Sequence, residues 1–303
     1  MITRDCTAFL DFARLCAPDF GPATARAAFL VAPDGFALAQ DSAQDNRYMA
    51  QAADFDADAA SRQHRALHRA VSGVLPAVCF AGDPATPDAV FPNNVFATAP
   101  GRVVIGRMRH PVRQREAQRG DIRGFFRDTL GYAEVDLSTQ PHPCELTGAL
   151  VIDRARGLGY CGLSERCDAE GARLMHDALG LRATLLFDLA PGEYHTNVVL
   201  AVLAGRAVIV CPAGFADPAV AAAIAGLYAP HAVVCSAAEH AAFVGNAIAL
   251  SPDIVWMSAR AGVALTPVHR QVLAGAGLEV RTVELDAIEA GGGSLRCCVG
   301  EVF

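Results

Sequence analysis

The sequence predicts a mixed α/β protein, a single domain over residues 1–303 with five-fold pseudosymmetry. Three observations carry this expectation. One local pattern recurs five times, stretches of helical character follow every copy but the last, and the last copy lacks a strand that an unassigned N-terminal segment supplies. Each copy opens on a pair of small or polar residues and continues as an apolar strand, a turn and a second apolar strand. The openings at Asn94, Gly148, Asn197, Asn246 and Ser294 are spaced 54, 49, 49 and 48 residues apart.

Taken in order, the strand pairs are expected at 95–99 with 102–108, 149–153 with 159–163, 198–203 with 207–211, and 247–250 with 254–258. Helical character is expected over 113–130, 165–179, 217–228 and 267–274. The last two begin at Asp217-Pro218 and Thr266-Pro267, where Asp or Thr can cap and Pro fits the first turn. An all-β propeller of similar repeat length is excluded by these helices. The fifth copy ends after one strand, and the segment 27–32 is the strand free to complete it and close a ring, with 45–74 as the first helical region.

Composition narrows the function. At 52% hydrophobic the chain can bury a large core, and a net charge of -7 without basic runs argues against nucleic acid. No apolar stretch approaches the roughly 20 residues of a membrane helix, and the N-terminus lacks the pattern of a secretory signal, so a cytoplasmic protein is expected. Ten cysteines without a CxxC pair fit neither a disulfide framework nor a zinc ribbon and read mostly as small buried apolar residues. His64 and His68 are one helical turn apart but lack the Glu of a zinc-protease helix, so an exposed helix face is expected.

If five hairpins surround an axis, the polar residues that open them converge at one end. Those positions carry Asp88, Asn94, Glu145, His195, Asn197 and the pair Cys297/Cys298, which follows Gly291-Gly292-Gly293. The glycines read as backbone crowded against a neighbour, and not as a phosphate loop, because no helix or Lys follows in that spacing. A thiol, an imidazole, a carboxylate and amides at one axis suffice for covalent catalysis, and neither metal nor organic cofactor is implied.

The segments Phe91-Pro92-Asn93-Asn94, Cys144-Glu145-Leu146-Thr147-Gly148, Gly162 to Arg166, Tyr194-His195-Thr196-Asn197 and the closing GGGSLRC together resemble the pentein superfamily of guanidine-modifying enzymes, most nearly its arginine-deiminase-related, citrulline-utilization branch. The resemblance implies a five-bladed α/β propeller of ββαβ units. It implies Cys297 as nucleophile, His195 as general acid and then base, and Glu145 as holder of the substrate nitrogens and the water. It also implies Arg113 and Arg166 on the substrate α-carboxylate and Asp88 on the α-ammonium group, while Cys298 is expected on the opposite strand face, in the core.

Departures from the superfamily pattern point to substrate. Guanidine-acting relatives place an Asp at the equivalent of Asn94, and deiminases another at that of Asn197. A guanidinium only donates hydrogen bonds, whereas a ureido group both donates and accepts, as an amide does. The expectation is therefore a citrulline hydrolase giving ornithine, ammonia and carbon dioxide. An arginine dihydrolase or deiminase, a dimethylarginine hydrolase using the same residues, and a catalytically silent binding propeller are the alternatives. Ala39 and Val95 also depart from the branch pattern. The expected partner is a small amino acid, with a homodimer left open.

Overall fold

A computed structural model describes residues 1–49 and 55–303. Five small sheets organise the chain, and each has the same internal plan. Strand Phe96–Ala99 pairs antiparallel with Arg102–Ile105, which pairs parallel with Ala133–Asp136. The plan repeats in Leu150–Asp153, Leu158–Leu163 and Ala183–Asp188, then in Leu200–Leu203, Ala207–Val210 and Ala232–Val234, and again in Ile248–Ser251, Ile254–Ser258 and Glu279–Val283. The fifth sheet is closed by the two ends of the chain, with Gly300–Val302 antiparallel to Ala27–Val31 and Ala77–Phe80 parallel to it. The N-terminal strand thus completes the last unit, as the missing second strand requires. Among the described residues no strand ladder joins one sheet to the next, so the sheets are separate and form no closed barrel.

The parallel third strand of each unit needs a crossover, and a helical stretch supplies it between the second and third strands. Local chemistry sets where these helices begin. Asp56 caps Ala57–Ser72, Asp168 caps Ala169–Leu179, Asp217 caps Pro218–Leu227 and Thr266 caps Pro267–Gly275, each through a side-chain oxygen that accepts an orphan backbone N–H.

Several sequence expectations need correction. The stretch 113–130 is not one helix but a series of turns, Pro111–Gln114, Glu116–Gln118, Gly120–Gly124 and a π-helical Phe125–Thr129. The helical region expected over 45–74 is helical at Ala57–Ser72, and its residues 50–54 lie outside the described residues. His64 is buried, 2% exposed, because it shares the inward stripe of its helix with Ala60, Leu67 and Val71.

Three of the repeat openings are not strand starts but short helical turns, Pro92–Asn94, Leu146–Ala149 and Thr196–Val199, and Leu295–Cys298 forms a fourth. Side-chain to backbone hydrogen bonds link each opening to the next. Thr147 Oγ1 donates to Asn93 O at 3.0 Å, Thr196 Oγ1 donates to Ala149 O at 2.5 Å, Asn246 Nδ2 donates to Asn197 O at 2.8 Å, and Arg296 N donates to Asn246 Oδ1 at 3.0 Å. The repeat openings therefore meet, hand to hand, in the middle of the molecule.

Candidate active site

Cys297 lies in the turn Leu295–Cys298, and its backbone N–H is fixed by Ser294 O at 3.0 Å. Its Sγ accepts a hydrogen bond from Asn246 Nδ2 at 3.3 Å and lies 3.8 Å from Asn197 Oδ1. Burial pushes the thiol up, while the Asn246 amide, the Ser294 backbone and the Arg296 charge act against that rise. Strand alternation does not separate Cys298 from Cys297, since both belong to one turn. Cys298 nonetheless packs in the core, with its Sγ 3.5 Å from Ser294 O.

His195 and Glu145 form a pair with no exposure at all, Nε2 to Oε2 at 2.8 Å. The other Glu145 oxygen accepts from Arg109 N at 3.0 Å, and Arg166 Nη1 donates to Oε2 at 3.3 Å. Burial works to raise the Glu145 pKa, but Arg166, His195 and Arg113 outweigh it and hold the carboxyl well below its ordinary range. Burial likewise holds His195 below the ordinary imidazole value, against the pull of Glu145. The resting imidazole is therefore neutral, and its Nδ1 is buried without a partner. The His195 ring and Asn94 Oδ1 both press on Gly148, where a Cβ would lie 2.7 Å from the ring and 2.5 Å from the oxygen, so this position tolerates only glycine.

Asp88, Asn94, Arg113, Arg166 and Cys297 line one cavity of about 20 Å³. His195 and Glu145 do not line it, and Asn197 borders it only through Cys297 Sγ. Asp88 Oδ2 accepts from Ser42 Oγ at 2.5 Å, while its Oδ1 is buried and unpartnered; burial pushes this carboxyl up, against Arg113 and Ser42. Arg113 commits Nε and Nη2 to Glu116, each at 2.8 Å, and Nη2 also reaches Phe91 O at 3.0 Å. Arg166 is fully engaged: Nε and Nη2 bind Asp45 at 3.0 and 2.5 Å, and Nη2 also donates to Ser42 O. Only Arg113 Nη1 has no partner among the described residues, so the two arginines expected at a substrate carboxylate stand in this structure with most of their donors occupied.

Residues 42–49 roof the cavity; the sequence reading places 45 onward in a helical region and names none of these residues at the site. Asp45 ties Arg166, Arg109 and His110 together. Asn46 Nδ2 reaches Gly292 O, and Arg47 and Tyr48 bind the buried Glu193. This contact explains Gly292: with φ +83°, a Cβ there would lie 2.2 Å from Asn46 Nδ2 and 2.4 Å from Met49 Cγ, while Gly291 and Gly293 are crowded by Phe36 and Phe91. Asn246 was also missed as a site residue, although its place as a repeat opening marked it. The departures at Ala39 and Val95 do not touch the cavity; Val95 packs in the core around Phe96 and Ile105.

A family model described as N,N dimethylarginine dimethylhydrolase, eukaryotic, matches residues 32–303. The N(G),N(G)-dimethylarginine dimethylaminohydrolase of Mycobacterium tuberculosis is 30% identical over 220 residues, spanning 71% of this chain and 66% of that protein. Among solved structures, the N-terminal domain of ArgZ, an arginine dihydrolase from the ornithine-ammonia cycle in cyanobacteria, superposes with a TM-score of 0.78 at 21% identity, over 91% of this chain and 97% of that domain. Unliganded AgrE superposes at 0.79 and 22% identity, where this chain covers 39% of the longer partner. A dimethylarginine dimethylaminohydrolase adduct with S-methyl-L-thiocitrulline superposes at 0.70 and 18% identity, over 92% of this chain. At these identities the structural likeness is one of mixed α/β fold.

Proposed function

Because the chain belongs to the dimethylarginine dimethylhydrolase family, within the pentein superfamily of arginine-modifying hydrolases, we propose that it hydrolyses the terminal C–N bond of an arginine-type amino acid, arginine or a methylated arginine, through Cys297. The five units would then be blades around an axis that the cavity occupies. One observation carries the reading: a single cavity brings together the Cys297 sulfur, the unpartnered Asp88 Oδ1 and Arg113. A carboxylate oxygen without a partner is costly when buried, and an α-ammonium group would satisfy it. The substrate α-carboxylate would take Arg113 Nη1 and exchange with Asp45 at the Arg166 fork as residues 42–49 move aside. Such movement is required, since about 20 Å³ admits a water molecule but no amino acid.

The chemistry follows from two neutral resting groups. Once the roof has moved and substrate has entered, His195 Nδ1, unpartnered at rest, would take the thiol proton as sulfur bonds to the guanidino carbon and the carbon's π pair moves to nitrogen. The C–N bond to the leaving amine then breaks as His195 returns the proton to it, releasing ammonia or a methylamine and leaving an S-linked thiouronium. Water gives a proton to His195, its oxygen attacks the same carbon, the C–S bond breaks, and the ureido product departs while the thiol is reprotonated. Glu145, held ionised, stabilises the imidazolium in each half-reaction, and Asn246 stabilises the sulfur anion.

A second reading, hydrolysis of a ureido group such as citrulline, is favoured by one further feature. Asn94 Oδ1 is an unpartnered buried acceptor and Asn197 Nδ2 an unpartnered buried donor. A guanidinium satisfies only the former; a ureido group satisfies both. Purified protein is incubated with arginine, asymmetric dimethylarginine and citrulline in parallel, and citrulline, ornithine, ammonia and dimethylamine are quantified beside Cys297→Ala. Consumption of a guanidino substrate supports the first reading, consumption of citrulline alone supports the second, and inertness toward all three overturns both.

A further inference from the structure

A second cavity, of about 40 Å³, is lined by Arg154, Arg296 and Glu301 together with Thr147 and Asn197. It shares no arginine with the catalytic cavity, and Asn197 is the residue that borders both the cavity and Cys297 Sγ. Arg154 is more than nine-tenths buried yet forms no ion pair among the described residues. Its one hydrogen bond is from Nη1 to Thr98 O at 3.0 Å, and its guanidinium stacks over the Phe303 ring at 4.2 Å. Glu301 is already spoken for by Arg296 Nη2 at 2.8 Å, and Arg296 Nη1 is taken by Val299 O. The lining therefore carries two guanidinium charges against one carboxylate, with Arg154 left over. Burial lowers the Arg154 pKa to about 10, Glu301 pulling against this and Arg296 adding to it, as expected of a cation in want of an anion. A buried unpaired charge is among the most expensive features a fold can retain, so the arrangement implies that something negative sits there.

We propose that this cavity is a binding site for a small oxyanion of the carboxylate or bicarbonate class, held by the Arg154 guanidinium. A planar fork backed by an aromatic ring suits two oxygens on one carbon. The volume limits the occupant to a few heavy atoms and excludes nucleotides, amino acids and tricarboxylates. The inference does not depend on the catalytic reading, because Arg154 and Glu301 take no part in the catalytic cavity.

The test is a thermal melt of the full chain without substrate, in sodium bicarbonate, sodium formate, sodium citrate or sodium chloride at matched ionic strength. Bicarbonate and formate are expected to raise the melting temperature saturably, by roughly 2–3 °C at tenfold over Kd, whereas citrate and chloride act no differently from each other. In Arg154→Met, which keeps length and packing on Phe303, the saturable rise disappears. Should that variant fail to melt cooperatively, Arg154→Lys retains the charge without the fork and is expected to bind roughly tenfold more weakly, the worth of one charge-assisted hydrogen bond. Equal stabilisation of wild type and the Arg154 variants, or by citrate as much as by formate, overturns the proposal.

Discussion

Burial raises the Cys297 thiol and the Asn246 amide opposes that rise, so replacing Asn246 should be visible directly in the thiol's titration. Its Nδ2 donates to Sγ at 3.3 Å, and its Oδ1 holds Arg296 N at 3.0 Å, so the side chain both fixes the turn and stabilises negative charge on sulfur. A hydrogen bond to a charged group is worth about 1.5–3 kcal/mol, and one pKa unit about 1.4 kcal/mol. Asn246→Ala should therefore raise the Cys297 pKa further and slow alkylation about 10- to 100-fold at any pH below it. Asn246→Asp is the sharper probe. It keeps the volume and the Oδ1 acceptor but places an anion beside the sulfur, which at about 4 Å and an effective dielectric near 20 opposes the thiolate by about 4 kcal/mol. The assay is iodoacetamide labelling across pH with peptide mapping, so that the other nine cysteines do not confuse the signal. The expected order of reactivity is wild type, then Asn246→Ala, then Asn246→Asp. Coincident titration curves for all three, or Asn246→Asp reacting as fast as wild type, would refute the reasoning.

Four further outcomes follow from the same geometry. Glu145→Gln removes the group that raises the His195 pKa, so the acid limb of kcat/KM should move down relative to wild type while kcat falls; a limb that stays put would separate Glu145 from the imidazole. The depressed Glu145 pKa also contributes stability that is full above about pH 4.5 and lost as pH falls from there, so the variant should lose about 3–5 kcal/mol in denaturant melts at neutral pH, with a shallower acid dependence than wild type. Asp88→Asn should raise KM for arginine by 10-fold or more yet leave KM for a des-amino analogue nearly unchanged, since only the α-ammonium group pairs with Oδ1; equal effects on both substrates would remove Asp88 from that role. Arg47→Ala with Tyr48→Phe removes both of the roof's bonds to the buried Glu193 and should speed labelling of Cys297, whereas an unchanged rate would show that this anchor does not limit access.

Much of the architecture was written in local pattern. The openings at Asn94, Gly148, Asn197, Asn246 and Ser294 recur at one period, and at three of the joins a side chain reaches back to the preceding opening, Thr147 to Asn93, Thr196 to Ala149 and Asn246 to Asn197. The pairing of 27–31 with the C-terminal strand was readable because a hairpin lacking its second strand must find one. The third strands were less visible as repeats: Ala133–Asp136 and Glu279–Val283 are short and largely polar, parallel edge strands whose pairing depends on a crossover and not on their own composition. For the site, residue types at repeat positions identified the thiol, imidazole and carboxylate, but not their orientation. Glu145 turns from the cavity toward His195, and the arginines meet Asp45 and Glu116, because buried charges find partners wherever the fold supplies them. Nothing in the composition of 42–49 announced a roof. Its only signal is indirect, in Gly292, whose backbone needs a close neighbour.

The central claim is that the Cys297 sulfur bonds to the carbon of an arginine-type substrate. Rapid acid quench of the protein mixed with excess arginine, dimethylarginine or citrulline, followed by peptide mass analysis, tests it most directly. The account predicts a mass increase confined to the peptide holding Cys297, larger in His195→Ala, where breakdown by water is slowed more than attack by a thiolate formed at alkaline pH. Steady turnover with no adduct on that peptide under any quench time, and full activity in Cys297→Ser, would contradict it.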